Sequence, residues 1–256
     1  MKAILLCAGQ GKRLLPLTED RPKCLVEVAG VTILERQIRA LAMAGIDEIV
    51  VATGFRDDQI IAALQALDPP LPPLRVSFNP FYAVSDNLAT CWLLRHEMHG
   101  PFLIINGDTL FETEIARRVL AMPDDVSIRV TVNRKPAYDD DDMKVVLDGD
   151  RLCAIGKQPF ASIDAESIGM LRFDARGGAL FRQTLETMMH ESEGNARWYL
   201  SAIDRIANTA TDAVGVCDIT GLHWCEIDTP GDLATAAERL GVPALPAERA
   251  RGRGVA

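Results

Sequence analysis

The chain contains 256 residues, of which 48% are hydrophobic and 25% charged, a composition typical of one large folded domain. Its 36 acidic residues outnumber its 27 lysines and arginines, and the net charge of -9 disfavours binding to polymeric nucleic acid. The six cysteines form no C-x-x-C pair, residues 3–8 are too few for the apolar core of a signal peptide, and no apolar run approaches the roughly 18 residues of a membrane span. We therefore expect a cytoplasmic protein with reduced thiols and without membrane association.

The charge is unevenly distributed along the chain. Residues 1–25 contain five lysines and arginines against two acidic residues, whereas the remainder is strongly acidic. A basic segment on an acidic protein predicts a local pocket for a small anion.

The first 121 residues predict alternating strands and helices. Residues 2–7 are a short apolar run that ends in a glycine-containing turn, as a buried parallel strand does. Thr32 can cap a helix that Gly45 ends, with apolar residues at helical spacing between them. Further strands are predicted at 49–53, 74–78 and 102–105, and further helices at 57–67, 88–98 and from after 108 to about 121.

Antiparallel pairing is predicted in the second half. The Asp148-Gly149-Asp150 turn favours a hairpin between strands at 144–147 and 152–157. The other predicted elements are strands at 126–133, 213–217 and 223–227 and helices at 175–191, 200–208 and 231–240. We expect an α/β fold in which residues 1–242 form a single domain, with a mixed, mostly parallel central sheet flanked by helices and an antiparallel extension. Residues 243–256 are expected to be a loose tail.

The turn after the first strand is rich in glycine and is followed by cations. It has the sequence Leu6-Cys7-Ala8-Gly9-Gln10-Gly11-Lys12-Arg13-Leu14, and Pro22-Lys23 follows. Glycines let backbone N–H groups approach phosphate oxygens, and Arg13 and Lys23 can add charge-assisted hydrogen bonds. A dinucleotide-binding fingerprint would need a third glycine at Leu14, and a Walker A loop would need G-K-[ST]. A plain strand-to-helix turn is the alternative, and the two cations disfavour it.

This loop resembles the signature of the nucleotidylyltransferases, or pyrophosphorylases, which is L-x-A-G-x-G-x-R-[LM] followed by P-K. Cys7 stands where the family usually has alanine. The chain looks most like the bacterial phosphocholine cytidylyltransferases and similar CTP-using enzymes. The other segments that carry the resemblance are Ser85-Asp86-Asn87, Asn106-Gly107-Asp108, Asp142-Met143-Lys144, Glu166-Ser167-Ile168-Gly169 and W-C-E-I-D-T-P at 224–230.

The resemblance implies a Rossmann-like nucleotidyltransferase fold and an activity. A phosphate or phosphonate oxygen of the acceptor attacks the α-phosphorus of a nucleoside triphosphate, and pyrophosphate leaves. The implied catalytic cations are Arg13, Lys23 and Lys144. The implied nucleotide-binding residues are Ala8, Gly9, Gly11, Lys12, Arg13, Ser85, Asp86, Asn87 and Gly107. A phosphate monoester, with a second pKa of about 6, is largely ionised at neutral pH and needs no dedicated general base.

A magnesium site is implied by the same resemblance. Asp108 and Asp228 each follow a predicted strand, and the resemblance implies that they bind Mg²⁺, with Glu226 as a further ligand. Carboxylate oxygens suit this hard cation. An aspartate after a strand is otherwise commonly a turn or helix-cap residue.

Ser85, Asp86 and Asn87 precede a predicted helix, and Ser85 or Asn87 could serve as its N-cap. Asp86 has a more specific interpretation. A carboxylate can accept the amino protons of cytosine but would face the O4 acceptor of uracil unfavourably, which favours CTP over UTP.

The acceptor substrate is less well defined by the sequence. The resemblance places Lys144 and Glu166 near it. The acidic run 139–142 could hold a cationic head group through charge and cation–π contacts, together with the aromatic residues Tyr138, Trp198, Tyr199 and Trp224. Such a run is otherwise usually a solvated loop, and such aromatics are usually core residues.

Several functions therefore remain open. The leading hypothesis is transfer of a cytidylyl group from CTP to a small phosphorylated alcohol such as phosphocholine. Sugar 1-phosphates, inositol phosphate and phosphonates are alternative acceptors. A non-catalytic nucleotide-sensing domain is a second class, and a metal-dependent glycosyltransferase is disfavoured because Asp108-Thr109-Leu110 offers no D-x-D motif. The oligomeric state is left open.

Overall fold

The protein is described by a computed structural model that covers residues 1–210 and 212–239, so the predicted tail at 243–256 lies outside the described residues. The strands are β1 (Lys2–Leu6), β2 (Glu27–Val28), β3 (Val31–Thr32), β4 (Glu48–Thr53), β5 (Leu74–Phe78), β6 (Phe102–Asn106), β7 (Thr109–Phe111), β8 (Ile128–Asn133), β9 (Lys144–Asp148), β10 (Arg151–Gly156), β11 (Ala165–Phe173), β12 (Val214–Asp218) and β13 (Trp224–Glu226). The α-helices are α1 (Ile33–Ala44), α2 (Asp57–Gln65), α3 (Asn87–Leu93), α4 (Thr113–Ala121), α5 (Ala175–Met189), α6 (Leu200–Thr209) and α7 (Pro230–Arg239).

Nine strands form one mixed sheet in the order β5-β4-β1-β6-β11-β8-β12-β10-β9. The strands β5, β4, β1 and β6 are mutually parallel, as the alternation of elements predicts. β11 is antiparallel to both β6 and β8, and the predicted hairpin of β9 and β10 extends the far edge. The predicted α/β fold, with a parallel region and an antiparallel extension, is confirmed.

Helices cover both faces of this sheet because its central strands are apolar on both sides. In β1, Ile4 packs in the core beneath α3, α5 and α6, whereas Ala3 and Leu5 pack in the opposite core beneath α1, α2 and α4. Helix α1 begins and ends as predicted, since the Thr32 hydroxyl accepts a hydrogen bond from the Glu35 N–H at 3.1 Å and Gly45 adopts a left-handed conformation with φ of 92°.

The two-residue strands β2 and β3 were not predicted, and β11 and β7 also differ from the sequence prediction. β11 was not predicted, although all nine of its residues are buried and it lies at the centre of the sheet. Polar Glu166 and Ser167 and the left-handed Gly169 interrupt its apolar pattern, and its pairing with β8 shifts register between Ser167 and Leu171. The predicted helix after residue 108 was wrong at its start, because residues 109–111 form β7 and the helix begins only at Thr113. The helix predicted at 88–98 is α-helical only to Leu93 and continues as a 3-10 turn.

Candidate active site

Two adjoining cavities lie at the carboxyl ends of β1 and β6. The first, the loop cavity of about 600 Å³, is lined by the glycine-rich loop, Lys23, Tyr82 and Ser85. The second, the inner cavity of about 240 Å³, is lined by Asn106, Lys157, Trp198, Tyr199 and Glu226, among others. The residues that line both cavities are Arg13, Asp86, Asp108 and Asp228. The carboxyl edge of an open α/β sheet is where such folds bind ligands.

Glycines in the loop cavity permit close contacts that a side chain would block. Gly11 has a φ of 76°, and a Cβ there would lie 2.7 Å from the Cβ of Lys23. Gly107 follows β6, and a Cβ there would lie 2.6 Å from the Leu6 carbonyl oxygen. Gly9 has open space around its Cα, so a ligand can approach the backbone there. The Thr18 hydroxyl donates to the Gly11 carbonyl at 2.8 Å and closes the loop.

The remaining members of the predicted nucleotide-binding set lie around the same loop. Lys12 lines the loop cavity, and Ala8 is buried beside it and lines a smaller adjoining recess. The Ala8 carbonyl accepts a hydrogen bond from the Phe55 N–H at 3.0 Å, which fixes the start of the loop against the chain after β4.

A cluster of two cations and two carboxylates occupies the wall between the cavities. The Lys23 ammonium donates to Asp108 at 2.7 Å and to Asp228 at 2.5 Å. The Arg13 guanidinium lies 2.9 Å from the other oxygen of Asp228. Burial disfavours the charge on Lys23, but the two carboxylates outweigh it and raise the pKa of Lys23. Lys23 is therefore a charged ammonium within the site.

The pairing of β7 with β13 brings the two aspartates together. Asp108 precedes β7 and Asp228 follows β13, and the two strands are antiparallel with Glu226 opposite Thr109. The Ile227 N–H also donates to the Asp108 carbonyl at 3.1 Å. Two segments 120 residues apart in sequence thus meet through backbone hydrogen bonds.

The site suits a cation between Asp108 and Asp228. Both carboxylates already contact one ammonium, and the second oxygen of Asp108 is buried without a hydrogen-bond partner in the described structure. Glu226 lines the inner cavity, and burial together with the charges of Asp108 and Asp228 raises its pKa to about 8. Among the residues that the structure describes, no three His, Cys, Asp or Glu side chains are arranged to hold a metal ion. Asp108 and Asp228 are therefore the two residues that could hold a divalent cation here, and Glu226 is not arranged with them as a third ligand.

The segment Ser85-Asp86-Asn87 borders both cavities. The Ser85 hydroxyl donates to the Phe81 carbonyl at 2.8 Å, and the Asn87 side-chain oxygen accepts from the Tyr199 N–H at 2.7 Å. Neither side chain caps α3 in the described structure, so the capping alternative is wrong. Asp86 is an exposed residue that lines both cavities, and partial desolvation of its carboxyl raises its pKa.

Lys157, rather than the predicted Lys144, lines the inner cavity. The buried Lys144 ammonium donates to the carbonyls of Asp140 and Lys157 at 3.3 Å, and Lys144 is not among the residues lining the two cavities described above. Lys157 does line the inner cavity, with its ammonium 5.0 Å from the centre of the Trp198 ring and 3.4 Å from Asp141. Sequence reasoning missed Lys157 because it was simply the last residue of a predicted strand.

The remaining predicted acceptor residues are only partly brought together. Trp198 is 43% exposed and lines the inner cavity. Tyr199 lines the same cavity but is fully buried, and its hydroxyl has no partner among the described residues. Glu166 instead pairs with Lys135 at 2.6 Å and accepts from Asn133 at 2.9 Å. Of these three predicted acceptor residues, Trp198 and Tyr199 line the inner cavity and Glu166 does not.

The acidic run reaches the site through Asp141. This carboxylate lies 3.5 Å from Arg13 and 3.4 Å from Lys157, whereas Asp142 is held by Lys135 at 2.8 Å. Asp141 is thus the residue of this run that lines the inner cavity.

Within residues 1–210 and 212–239, no helix combines the length and the apolar character that crossing a membrane requires.

Known proteins resemble this chain over most of its length. A relative from Rubrobacter xylanophilus, named bifunctional IPC transferase and DIPP synthase, is 31% identical over 93% of this chain and 51% of its own length, so the chain spans about half of that relative. The CTP:phosphoglutamine cytidylyltransferase of Campylobacter jejuni is 24% identical over 93% of this chain and its full length. The structure of the CTP:phosphocholine cytidylyltransferase from Streptococcus pneumoniae has a TM-score of 0.74 at 22% identity, covering 93% of this chain and 98% of that one.

These similarities confirm the nucleotidylyltransferase resemblance and the nucleotidyltransferase fold. The family model of the MobA-like NTP transferase domain matches residues 3–167, which include the glycine-rich loop, Lys23 and Asp108. The matched part carries the whole loop cavity except Asp228. The chain therefore belongs to the MobA-like NTP transferase domain family.

Proposed function

We propose that this protein transfers a cytidylyl group from CTP to a small phosphorylated alcohol such as phosphocholine. The observation that carries this proposal is the shared wall. Arg13, Asp108 and Asp228 line both a glycine-lined cavity and a second cavity with its own cation, and Lys23 bonds to both aspartates from the loop cavity. A triphosphate in the loop cavity and an acceptor phosphate in the inner cavity would meet there. The names of the relatives, which act on CTP and on phosphorylated substrates, support the same activity.

The reaction needs charge neutralisation more than proton transfer. An oxygen of the acceptor phosphate forms a bond to the α-phosphorus, and the bond from that phosphorus to the bridging oxygen breaks, so that pyrophosphate leaves with the electron pair. The acceptor oxygen is already ionised at neutral pH, since the second pKa of a phosphate monoester is about 6. The three phosphates of the nucleotide and the phosphate of the acceptor approach one another, and positioned cations lower the activation barrier by neutralising their charge.

Each residue of the shared wall has a defined part in that scheme. The open backbone at Gly9 and the Arg13 guanidinium bind the triphosphate, and Lys23 holds its charge beside the position of the α-phosphate. Asp108 and Asp228 would hold Mg²⁺, which supplies a hard cation to the phosphate oxygens when it is bound.

The position of Asp86 on both cavities supports a preference for CTP. A carboxylate in a partly desolvated position can accept the cytosine amino protons, and facing the uracil O4 it would lose a hydrogen bond at a cost of about 1–3 kcal/mol. We therefore expect a tenfold to hundredfold preference for CTP over UTP, which Asp86→Asn reduces.

The inner cavity supports a cationic acceptor. Lys157 provides a charge for the acceptor phosphate, and Trp198 and Asp141 provide an aromatic face and a carboxylate for a positively charged head group. The Lys157 ammonium lies 5.0 Å from the centre of the Trp198 ring, which supports the use of this ring face for a cation. This arrangement favours phosphocholine over a neutral sugar 1-phosphate, an inositol phosphate or a phosphonate without a cationic group.

The proposal is tested by pyrophosphate release with the four nucleoside triphosphates and a panel of phosphocholine, phosphoethanolamine, inositol phosphate, a phosphonate and a sugar 1-phosphate. We expect release that requires both CTP and an acceptor, with the highest kcat/KM for phosphocholine. Lys23→Ala serves as the inactive control and Arg21→Ala, an exposed cation beside Asp20, as the active one. Preference for a sugar 1-phosphate would contradict the cationic pocket, and calorimetric CTP binding without turnover on any acceptor would favour a nucleotide sensor.

A further inference from the structure

A buried glutamine on α1 lies directly behind the candidate active site. Gln37 is 1% exposed and occupies the inward face of the helix, where its helical neighbours Ile33, Leu34, Ile38 and Leu41 are all apolar core residues. A polar amide in such a position is unfavourable unless its hydrogen bonds are made. The NH₂ group of Gln37 makes two hydrogen bonds, whereas its side-chain oxygen has no partner among the described residues, so the specific contacts of this amide are those of its NH₂ group.

The partner of this NH₂ group is the turn that carries Asp108. The Gln37 side-chain nitrogen donates to the Asn106 carbonyl and to the Thr109 carbonyl, each at 2.7 Å. Because both acceptors are carbonyl oxygens, only the NH₂ group can face them, which fixes the orientation of the amide. One rigid group thus joins the backbone on both sides of Asp108.

The other contacts of this turn hold one residue each. The Ile227 N–H donates to the Asp108 carbonyl at 3.1 Å. The Gly107 N–H donates to the Leu6 carbonyl at 3.1 Å, and the Thr109 hydroxyl donates to the Ile168 carbonyl at 2.9 Å. Among the described residues, the Asp108 carboxylate bonds only to Lys23, and its second oxygen has no partner. The position of the carboxylate therefore depends on the backbone that Gln37 spans.

We propose that Gln37 is a positioning residue for the reaction, which sets the Asp108 carboxylate relative to Lys23 and Asp228 without touching the substrate. This inference rests on the proposed nucleotidyl transfer for its kinetic consequence. In the proposed reaction Asp108 positions the positive charge that faces the reacting phosphorus. A misplacement of about 1 Å in such a group can lower the rate about 100-fold. Binding of the nucleotide in the loop cavity does not require the same precision.

The kinetic experiment compares Gln37→Met with Leu41→Ala in the full chain. Methionine keeps the length but removes both donors, whereas Leu41→Ala destabilises the same helix through a core cavity and removes no hydrogen bond to the turn. We expect Gln37→Met to lower kcat tenfold to hundredfold with little change in the KM for CTP and to raise the Mg²⁺ concentration at half-maximal rate. The control should keep the wild-type kcat. If Gln37→Met does not fold, Gln37→Glu, which retains the length and one donor when protonated, should show the same pattern with a smaller loss.

A second readout is independent of activity. Amide hydrogen exchange should accelerate at residues 106–109 in Gln37→Met, and more than in Leu41→Ala, because the two carbonyl contacts are lost. Wild-type kcat in the variant, a kcat loss equal to that of the control, or unchanged exchange at 106–109 would overturn the inference. If the wild-type protein released no pyrophosphate with any acceptor, the proposed function would fail separately, and the exchange comparison alone would support or overturn the anchoring of this turn by Gln37.

Discussion

The loop cavity and the inner cavity share a wall but are built in different ways. The loop cavity follows β1, and its shape depends on backbone and on glycines such as Gly11 and Gly107 that let chain segments approach closely. The inner cavity is built from side chains of several distant segments, including Lys157, Trp198 and Glu226. A cavity made of backbone is suited to the triphosphate that is common to a family, whereas one made of side chains can change its acceptor through a few substitutions.

Removal of a cation that pairs with the aspartates of the shared wall should cause the largest loss, because those aspartates line both cavities. Lys23→Ala and Arg13→Ala are expected to lower kcat by about 100-fold or more, since each removes a charge-stabilising donor. The rate of pyrophosphate release at saturating CTP and acceptor measures this, with circular dichroism confirming the fold. A folded variant with unchanged turnover would exclude that residue from the mechanism.

Changing a carboxylate of the shared wall should distinguish the contribution of Mg²⁺ to the rate from that of the Lys23 ammonium. Asp228→Asn keeps the shape of the side chain but removes the charge that attracts a hard cation, so we expect a lower rate and a higher Mg²⁺ requirement. Asp108→Asn should behave in the same way. A magnesium titration of the initial rate measures both effects, and a wild-type response in Asp228→Asn would show that this residue is not a ligand.

The inner cavity is tested by comparing two lysines. Lys157→Met should raise the KM for the acceptor about tenfold while leaving the KM for CTP unchanged, because only the inner cavity loses a charge. Lys144→Met should mainly lower stability, because the Lys144 ammonium is buried against two carbonyl groups. Steady-state kinetics with each substrate varied in turn distinguish the two. The opposite result would restore Lys144 as the residue that contacts the acceptor.

The contrast between the cavities also explains what the sequence could predict. The glycine-rich loop is contiguous, so Arg13, Lys23 and the strand before them could be recognised from local patterns. Asp108 and Asp228 are brought together by the pairing of β7 with β13. β7 has only three residues, and their sequence is equally compatible with the first turn of a helix. Lys157 could not be distinguished from Lys144, because the two lysines lie close together at one end of the β9–β10 hairpin, and the path of the chain after Gly156, which local sequence does not reveal, brings Lys157 to the cavity.

A substitution at the sheet beneath both cavities should change the stability of the protein without changing its catalysis, and it therefore serves as a reference. Glu97 is buried beside the sheet, where Arg75 binds both of its oxygens at 2.7 Å and Lys2 donates at 2.6 Å. Arg75 above all, opposed by burial and assisted by Lys2, lowers the pKa of Glu97 to about 2. A carboxyl whose pKa is lowered on folding stabilises the protein above its ordinary pKa of 4.5 and loses that contribution as the pH falls toward 2.

Glu97→Gln should therefore lower the free energy of unfolding by about 1–3 kcal/mol at pH 7, since it replaces a charge-assisted network with neutral hydrogen bonds. The difference from wild type should shrink between pH 4.5 and pH 2, because the wild-type carboxyl becomes protonated over that range. Urea unfolding across this pH range measures it, with Glu48→Gln, whose carboxylate contacts the same Arg75 but is more exposed, as a control with a smaller effect. The kcat at pH 7 should be unchanged, because Glu97 lines neither cavity among the described residues. A difference in stability that persisted undiminished at pH 2 would show that packing rather than charge accounts for the contribution of Glu97.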